Sequence, residues 1–330
     1  MRVCVLTTSY PRDADDVAGH FVRDAVEGVR ARGIDVSVVS PASFSHFGIA
    51  FGGGIAQNLR GAPWRLALVP AFLATYAAAA RRAARDVDLV HAHWIPSAIA
   101  ARATGRPYAL QVWGTDIALA RRMPALVRPL VRGARVVIAA STFLANEASD
   151  LGARRVEIVP AGVDIPAHVG EPEVPPHVLY AGRLSEEKGI LEFLDATAGM
   201  RRVIVGDGPL RPRVAEAAGF VPPAEVGAYY ERSAVVCVPS RREGYGFTAR
   251  EAMAYGRPVV ATRAGGLADL GDGAELVDST SLREAIARLL GDSELRAQMG
   301  ARARTNAETH FGLAASAEAL VAVYRQALEA

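Results

Sequence analysis

The sequence predicts an α/β protein of two doubly wound halves, each a parallel sheet with helices on both faces, facing one another across a cleft. Three observations carry that reading. Short apolar runs alternate with helix-compatible stretches along nearly the whole chain, which is the pattern of repeated βαβ units. A proline-rich stretch over 160–176 interrupts the alternation near the middle and reads as a linker. The length of 330 residues is also enough for two domains at about 150 residues each.

Taken in order, residues 2–7 form a continuous apolar strand. A loop of Gly, Pro and Asp, a helical pattern over 17–32, Gly33 as a stop and a second strand at 35–39 follow. Further strands are expected at 87–91, 108–112, 135–139 and 156–159, with helix-compatible stretches between most of them. Beyond the linker they resume at 177–181, 203–205, 234–238, 258–261 and 275–277, and helices near 281–290, 293–309 and 313–328 close the chain. The expected boundaries are 1–166 for the first domain, 167–310 for the second and 311–330 for a terminal helix that returns toward the first.

Composition excludes several classes. With 51% hydrophobic and 22% charged residues, the chain is neither disordered nor of low complexity. Cys4 and Cys237 each lie in a short apolar run, which suits buried thiols in a reducing compartment, so a cytoplasmic location is expected. The opening apolar stretch is too short for a signal peptide, and the longest apolar run, 66–80, contains Pro70 and is below spanning length. Charge is uneven. Residues 1–166 hold 19 basic and 13 acidic side chains, whereas 167–330 hold 18 and 22, so the first half is the one suited to anionic partners. No nucleic-acid partner is expected.

Two constellations carry chemistry. Lys188 is the only lysine among 37 basic residues, and it sits in Gly182-Arg-Leu-Ser-Glu-Glu-Lys-Gly189, between a strand and a helix. A cation at a helix start opposes the macrodipole and favours a neighbouring anion. Arg183 can supply a second positive group, and a phosphate fits both. The alternative is a surface pair with Glu186, Glu187 or Glu192. The second constellation is Glu243-Gly244-Tyr245-Gly246-Phe247-Thr248-Ala-Arg-Glu251. Its glycines form a tight loop whose backbone N–H groups can face an anion ahead of a helix. Glu243 at the mouth and Glu251 in the first helical turn can each accept from paired hydroxyls. Equally, Thr248 and Glu251 have the spacing of a capping box, and Glu243 could be a solvated loop acid.

These segments together resemble retaining glycosyltransferase family 4, the GT-B-fold enzymes that use nucleotide sugars. The resemblance runs over nearly the whole chain. It rests on the Gly19 loop, Val-His-Ala-His-Trp94, Gly-Thr-Asp116, Val-Pro-Ala-Gly-Val-Asp164, Gly-Arg-x4-Lys-Gly189, Val-Gly-Asp-Gly-Pro209, Pro-Ser240 and Glu243-x7-Glu251. It implies a hexosyltransferase whose first domain is the acceptor side and whose second binds the nucleotide sugar. By that resemblance Arg183 and Lys188 hold the donor diphosphate, and the amides from Gly244 to Thr248, through Tyr245, Gly246 and Phe247, face phosphate and sugar. Glu243 meets the sugar hydroxyls and Glu251 the ribose. Gly19 lets the first domain approach the diphosphate, and backbone around Gly206, Phe220 and Val221 meets the base. Arg183, Lys188 and Glu243 form the catalytic set. Cations and helix dipoles then stabilise the leaving group, so no cofactor and no metal are expected.

His93, Trp113 and Asp116 are the candidates on the acceptor or cleft side. Many members of the family carry His where this chain has Trp113, and that His is often assigned to the catalytic centre. Trp113 cannot exchange a proton; either its ring N–H donates to sugar or phosphate, or the ring is core packing. A front-face reaction in which the leaving phosphate takes the acceptor proton tolerates the change. The competing readings are an epimerase or phosphorylase on the same fold and a non-catalytic nucleotide-sugar binder. Two motifs imitate metal sites, Asp13 with Asp15 and His91 with His93, the latter read as having left its strand; both are set aside. The acceptor is a glycan, a lipid-linked species or a small molecule. Arg60, Arg65, Arg81, Arg82 and Arg85 around Trp64 and the 66–80 run, in a stretch free of acids, leave two readings open: contact of an interfacial helix with an anionic membrane at its inner face, or ordinary arginine- and alanine-rich helices whose apolar faces pack on the sheet. A second such stretch, with Arg121, Arg122, Arg128, Arg132 and Arg135, reads as an ordinary helix packed on the sheet.

Overall fold

The computed structural model describes residues 1–13, 16, 18–51 and 54–329, with residue 119 described by its backbone alone. The chain forms two compact units, Met1–Gly162 with Ser316–Ala330, and Val163–Ala315.

The first unit follows the order β1 (Arg2–Leu6), α1 (His20–Arg30), β2 (Asp35–Val39), α2 (Ile55–Gly61), α3 (Val69–Ala83), β3 (Leu89–His93), α4 (Ile95–Ala103), β4 (Tyr108–Val112), α5 (Thr115–Ala120), α6 (Pro124–Gly133), β5 (Val136–Ala139), α7 (Thr142–Asp150) and β6 (Val156–Ile158). The six strands form one parallel sheet in the order β2-β1-β3-β4-β5-β6. Strands β3, β4 and β5 are buried throughout because helices cover both faces. Val22, Val26 and Val29 of α1, spaced as one helical stripe, join Val3, Val5 and Leu89 in the core. His93 is the last residue of β3 and is buried. The expectation that it had left the strand is therefore corrected: strand pairing to Gln111 of β4 holds it in the sheet.

The second unit follows β7 (Val178–Ala181), α8 (Ile190–Ala196), β8 (Arg202–Val205), α9 (Pro223–Arg232), β9 (Val235–Val238), α10 (Phe247–Ala254), β10 (Val259–Thr262), β11 (Ala274–Val277), α11 (Leu282–Gly291) and α12 (Ser293–Asn306). Its parallel sheet has the order β11-β10-β9-β7-β8. The helix expected over 293–309 is α12 plus a π-helical turn at Ala307–Phe311. The last helix, α13 (Leu313–Glu329), begins in this unit. From Ser316 onward it belongs to the first, where Leu320, Val321, Tyr324 and Ala327 enter the core.

The chain enters the second unit at Val163, four residues before the expected start at 167. The cause is a backbone bridge: Val163 N–H donates to Phe311 O at 2.8 Å and Leu313 N–H to Val163 O at 3.2 Å, with the Val163 side chain in the second unit's core. Among the described residues, no helix is long and apolar enough to cross a membrane.

Candidate functional site

Strand β7 lies between β8 and β9, so the chain leaves β7 first to one side and later to the other. Such a switch point opens a crevice at the carboxyl ends of the two central strands. A pocket of about 200 Å³ occupies that place, lined by Tyr180–Arg183 from the end of β7, Cys237–Ser240 from the end of β9, and Lys188, Glu243 and Thr248. The loop after β7 closes a short 3-10 turn at Glu186–Lys188 and then passes through Gly189 at φ +70°. A Cβ at Gly189 would lie 1.9 Å from the Pro239 carbonyl oxygen. Only glycine lets this loop run against the end of β9, and that approach carries Lys188 into the pocket. The Tyr180 hydroxyl fastens the loop by donating to the carbonyls of Arg183 at 2.8 Å and Lys188 at 3.4 Å.

Lys188 Nζ donates to Glu243 Oε2 at 2.7 Å, and the Ser240 hydroxyl donates to the same oxygen at 3.2 Å. The side chains are 31% and 12% exposed, so neither the surface-pair reading of Lys188 nor the solvated-loop reading of Glu243 holds. Glu192, one of the expected surface partners, is bonded instead to Arg241. Arg183 lines the same pocket and is exposed.

Helix α10 begins at Phe247 behind Gly246 at φ +89°, a glycine N-cap that makes no side-chain capping bond. Thr248 does not close a capping box, because its hydroxyl donates across to the Ala181 carbonyl at 3.1 Å. The expected first-turn position of Glu251 is likewise corrected: with the helix starting at Phe247, Glu251 falls in the second turn. There it accepts from the Tyr230 hydroxyl at 2.7 Å. Burial, with Glu251 alongside, pushes the Tyr230 phenol well up, so it stays a donor.

Sequence reasoning missed Arg250. It reads as a polar helix residue, yet its side chain is fully buried. Its guanidinium lies 3.8 Å from the ring centre of Tyr245 and 4.7 Å from that of Phe311. It donates to the Tyr245 carbonyl and, at 3.3 Å, to the Gly266 carbonyl. Arg250 therefore holds the Glu243–Phe247 loop from beneath. The one local signal is a charged residue flanked by small ones at 249, 252 and 254, all on the buried side of the helix.

In the first unit, the sequence-derived candidates are partnered internally. Trp113 Nε1 donates to His93 Nδ1 at 3.3 Å, and the rings stack with centroids 6.0 Å apart. Neither reading offered for Trp113 is complete: its N–H is directed at His93, and its ring also packs on Phe21 at 4.4 Å. Accepting that bond places the His93 proton on Nε2, and burial beside His91 keeps the ring neutral, its pKa well below the usual range. Asp116 is buried, and its carboxylate accepts from the backbone N–H groups of Ile95 (3.2 Å), Trp113 (3.1 Å) and Gly114 (3.0 Å). Burial pushes its pKa up while these donors pull it down. Asp116 thus ties the end of β4 to the start of α4. Gly19, at φ +73°, lets the start of α1 meet the Ser9 carbonyl, which would be 2.3 Å from a Cβ.

His91 is bonded through Nδ1 to the Tyr324 hydroxyl at 2.7 Å. Among the described residues, no group of three or more His, Cys, Asp or Glu is placed to hold a metal ion. The Asp13 and Asp15 motif extends outside the described residues.

Known proteins resemble this chain in sequence and in fold. Residues 18–166 match the profile of Glycosyltransferase Family 4, and residues 175–292 that of Glycosyl transferases group 1. A D-inositol 3-phosphate glycosyltransferase of Kineococcus radiotolerans is 30% identical over 332 aligned residues, 76% of this chain and 74% of the relative. Another from Acidothermus cellulolyticus is 29% identical over 93% of this chain and 85% of its own length. Among solved structures, sucrose-phosphate synthase from Thermosynechococcus elongatus superposes with a TM-score of 0.81 at 19% identity, covering 98% of both chains. HepE of Anabaena, in complex with UDP-glucose, gives 0.74 at 21% identity over 99% of this chain and 100% of its own. With its two doubly wound units and its ordered motifs matched along most of their length, the chain belongs to glycosyltransferase family 4 and has the GT-B fold.

Proposed function

We propose that the protein transfers a hexose from a nucleoside diphosphate sugar to an acceptor, with retention at the anomeric carbon and without a metal or other cofactor. The observation that carries the reading is the convergence of Arg183, Lys188 and Glu243 on one pocket at the switch point of the second sheet. Lys188 and Arg183 neutralise the diphosphate, and the start of α10 behind Gly246 adds its dipole. Glu243 accepts from sugar hydroxyls and Glu251 from the ribose. The side chain of Phe220, which is exposed, offers a face for the base. The bond from the anomeric carbon to the phosphate oxygen breaks as the bond to the acceptor oxygen forms on the same face. The departing phosphate takes the acceptor proton, a step that asks no proton of Trp113 or His93.

The test is a thermal-shift screen of UDP-, GDP- and ADP-sugars, followed by transfer assays with and without EDTA. One donor class is expected to raise Tm by an amount equivalent to several kcal/mol at ~1,000 times Kd, and EDTA is expected to leave turnover unchanged. No shift with any donor sinks the donor reading, and turnover lost to chelation and restored by Mg²⁺ or Mn²⁺ sinks the metal-free one.

The acceptor side of this proposal is the basic first unit, working at the inner face of the membrane on a lipid-linked acceptor. Trp64 and Leu66 are 66% and 59% exposed beside Arg60 and Arg65, while Phe72 and Tyr76 of α3 turn into the core. The second arginine-rich stretch differs from expectation. Val127 and Val131 of α6 are buried, but Leu126 is 70% exposed between Arg122 and Arg128. Each cation near an anionic surface contributes about 1 kcal/mol. Co-sedimentation with vesicles is expected to rise with anionic lipid and fall with salt; no binding at low salt favours a soluble acceptor.

A further inference from the structure

The pocket at the end of β7 contains its own anion. Glu243 holds the only lysine of the chain through a 2.7 Å ion pair, with Ser240 donating to the same carboxylate oxygen. We infer that Glu243 is a specificity-determining residue that selects sugar-bearing diphosphates over bare ones by competing with phosphate for Lys188. The inference rests on the donor reading above and deepens it.

The argument is one of exchange. A phosphate that takes Lys188 must displace Glu243 from it. In a pocket of about 200 Å³, the displaced carboxylate stays close to the incoming anion, and like charges held together in a partly desolvated site repel. Of its two donors at Oε2, the Ser240 hydroxyl alone remains. A bare diphosphate offers Glu243 nothing in return, because its oxygens are acceptors. A hexose on the terminal phosphate does, since its hydroxyls donate to a carboxylate. The exchange is therefore compensated when the sugar is attached and uncompensated when it is not. The same asymmetry acts after transfer: once the sugar has left, re-forming the Lys188–Glu243 pair favours release of the diphosphate product.

The experiment uses inorganic diphosphate as the probe, which needs no knowledge of the base or sugar. Calorimetric titration compares the wild-type protein with Glu243→Gln, Glu243→Ala and the double variant Glu243→Gln/Lys188→Ala. Gln keeps the size of the side chain and its bond to Ser240 while removing the charge. Circular dichroism and Tm establish that each variant is folded, and Glu243→Ala supplies the same loss of charge if Gln disturbs the loop. Glu243→Gln is expected to bind diphosphate at least about tenfold more tightly than wild type, and the added Lys188→Ala is expected to abolish the gain. Diphosphate bound no more tightly by the folded Glu243 variants than by wild type, or by none of the proteins, overturns the inference. So does a gain that survives loss of Lys188. Failure of the donor reading is seen separately, as the absence of a thermal shift with every nucleotide sugar.

Discussion

Lys188→Ala and Arg183→Ala are each expected to lower kcat/KM by roughly 30- to 1,000-fold, on the order of 2 to 4 kcal/mol of transition-state stabilisation, with the fold retained. Both side chains line the pocket and neither fills the core. The effect is expected mainly in kcat, because charge on the departing diphosphate grows as the sugar bond breaks. The two variants differ in a second readout. Lys188→Ala also leaves Glu243, which is largely buried, with Ser240 as its remaining donor, so a small loss of Tm accompanies it. Arg183 is exposed, and its removal is expected to leave Tm unchanged. Steady-state kinetics on the best donor from the screen decide the matter. Wild-type turnover in either variant removes that cation from the catalytic set.

Arg250→Ala is expected to lower unfolding free energy by about 3 to 5 kcal/mol, the largest stability effect among the site residues. Three losses coincide. A large buried side chain becomes a cavity, the Tyr245 and Gly266 carbonyls lose their charged donor, and a desolvated cation leaves the space between the Tyr245 and Phe311 rings. Arg250→Lys is expected to fall between, since a single ammonium cannot reproduce a planar fork reaching two carbonyls. Because the same side chain supports the loop from Glu243 to Phe247, donor affinity is expected to fall in Arg250→Lys even where the protein remains folded. Urea unfolding and donor titration measure the two effects. Stability within about 0.5 kcal/mol of wild type in Arg250→Ala removes the structural assignment, and undiminished donor affinity in a folded Arg250→Lys removes the positioning role.

The sequence by itself determined the eleven strands found among the described residues, to within two residues at every end. Strands of a covered parallel sheet are continuous apolar runs bounded by turn residues, a local property that needs no partner to be seen. It also determined the two motifs that meet in the pocket, because Gly189 and Gly246 mark backbone turns that other residues resist. Tertiary structure alone decided how the side chains are paired. Glu243 lies 55 residues from Lys188, Tyr230 lies 21 from Glu251, and Phe311 lies far along the chain from Arg250. Spacing carries no information about such pairs. An arginine on a helix reads as solvated until the ring and carbonyl of Tyr245 in the preceding loop, and the Gly266 carbonyl and Phe311 ring from farther along the chain, close around it. Asp116 and His93 show the same limit, since neither position discloses in the sequence that the fold sets one against backbone N–H groups and the other against Trp113. Backbone conformation follows from each residue's own steric and apolar character, whereas a buried charge takes its role from whichever distant group the fold places within hydrogen-bond reach.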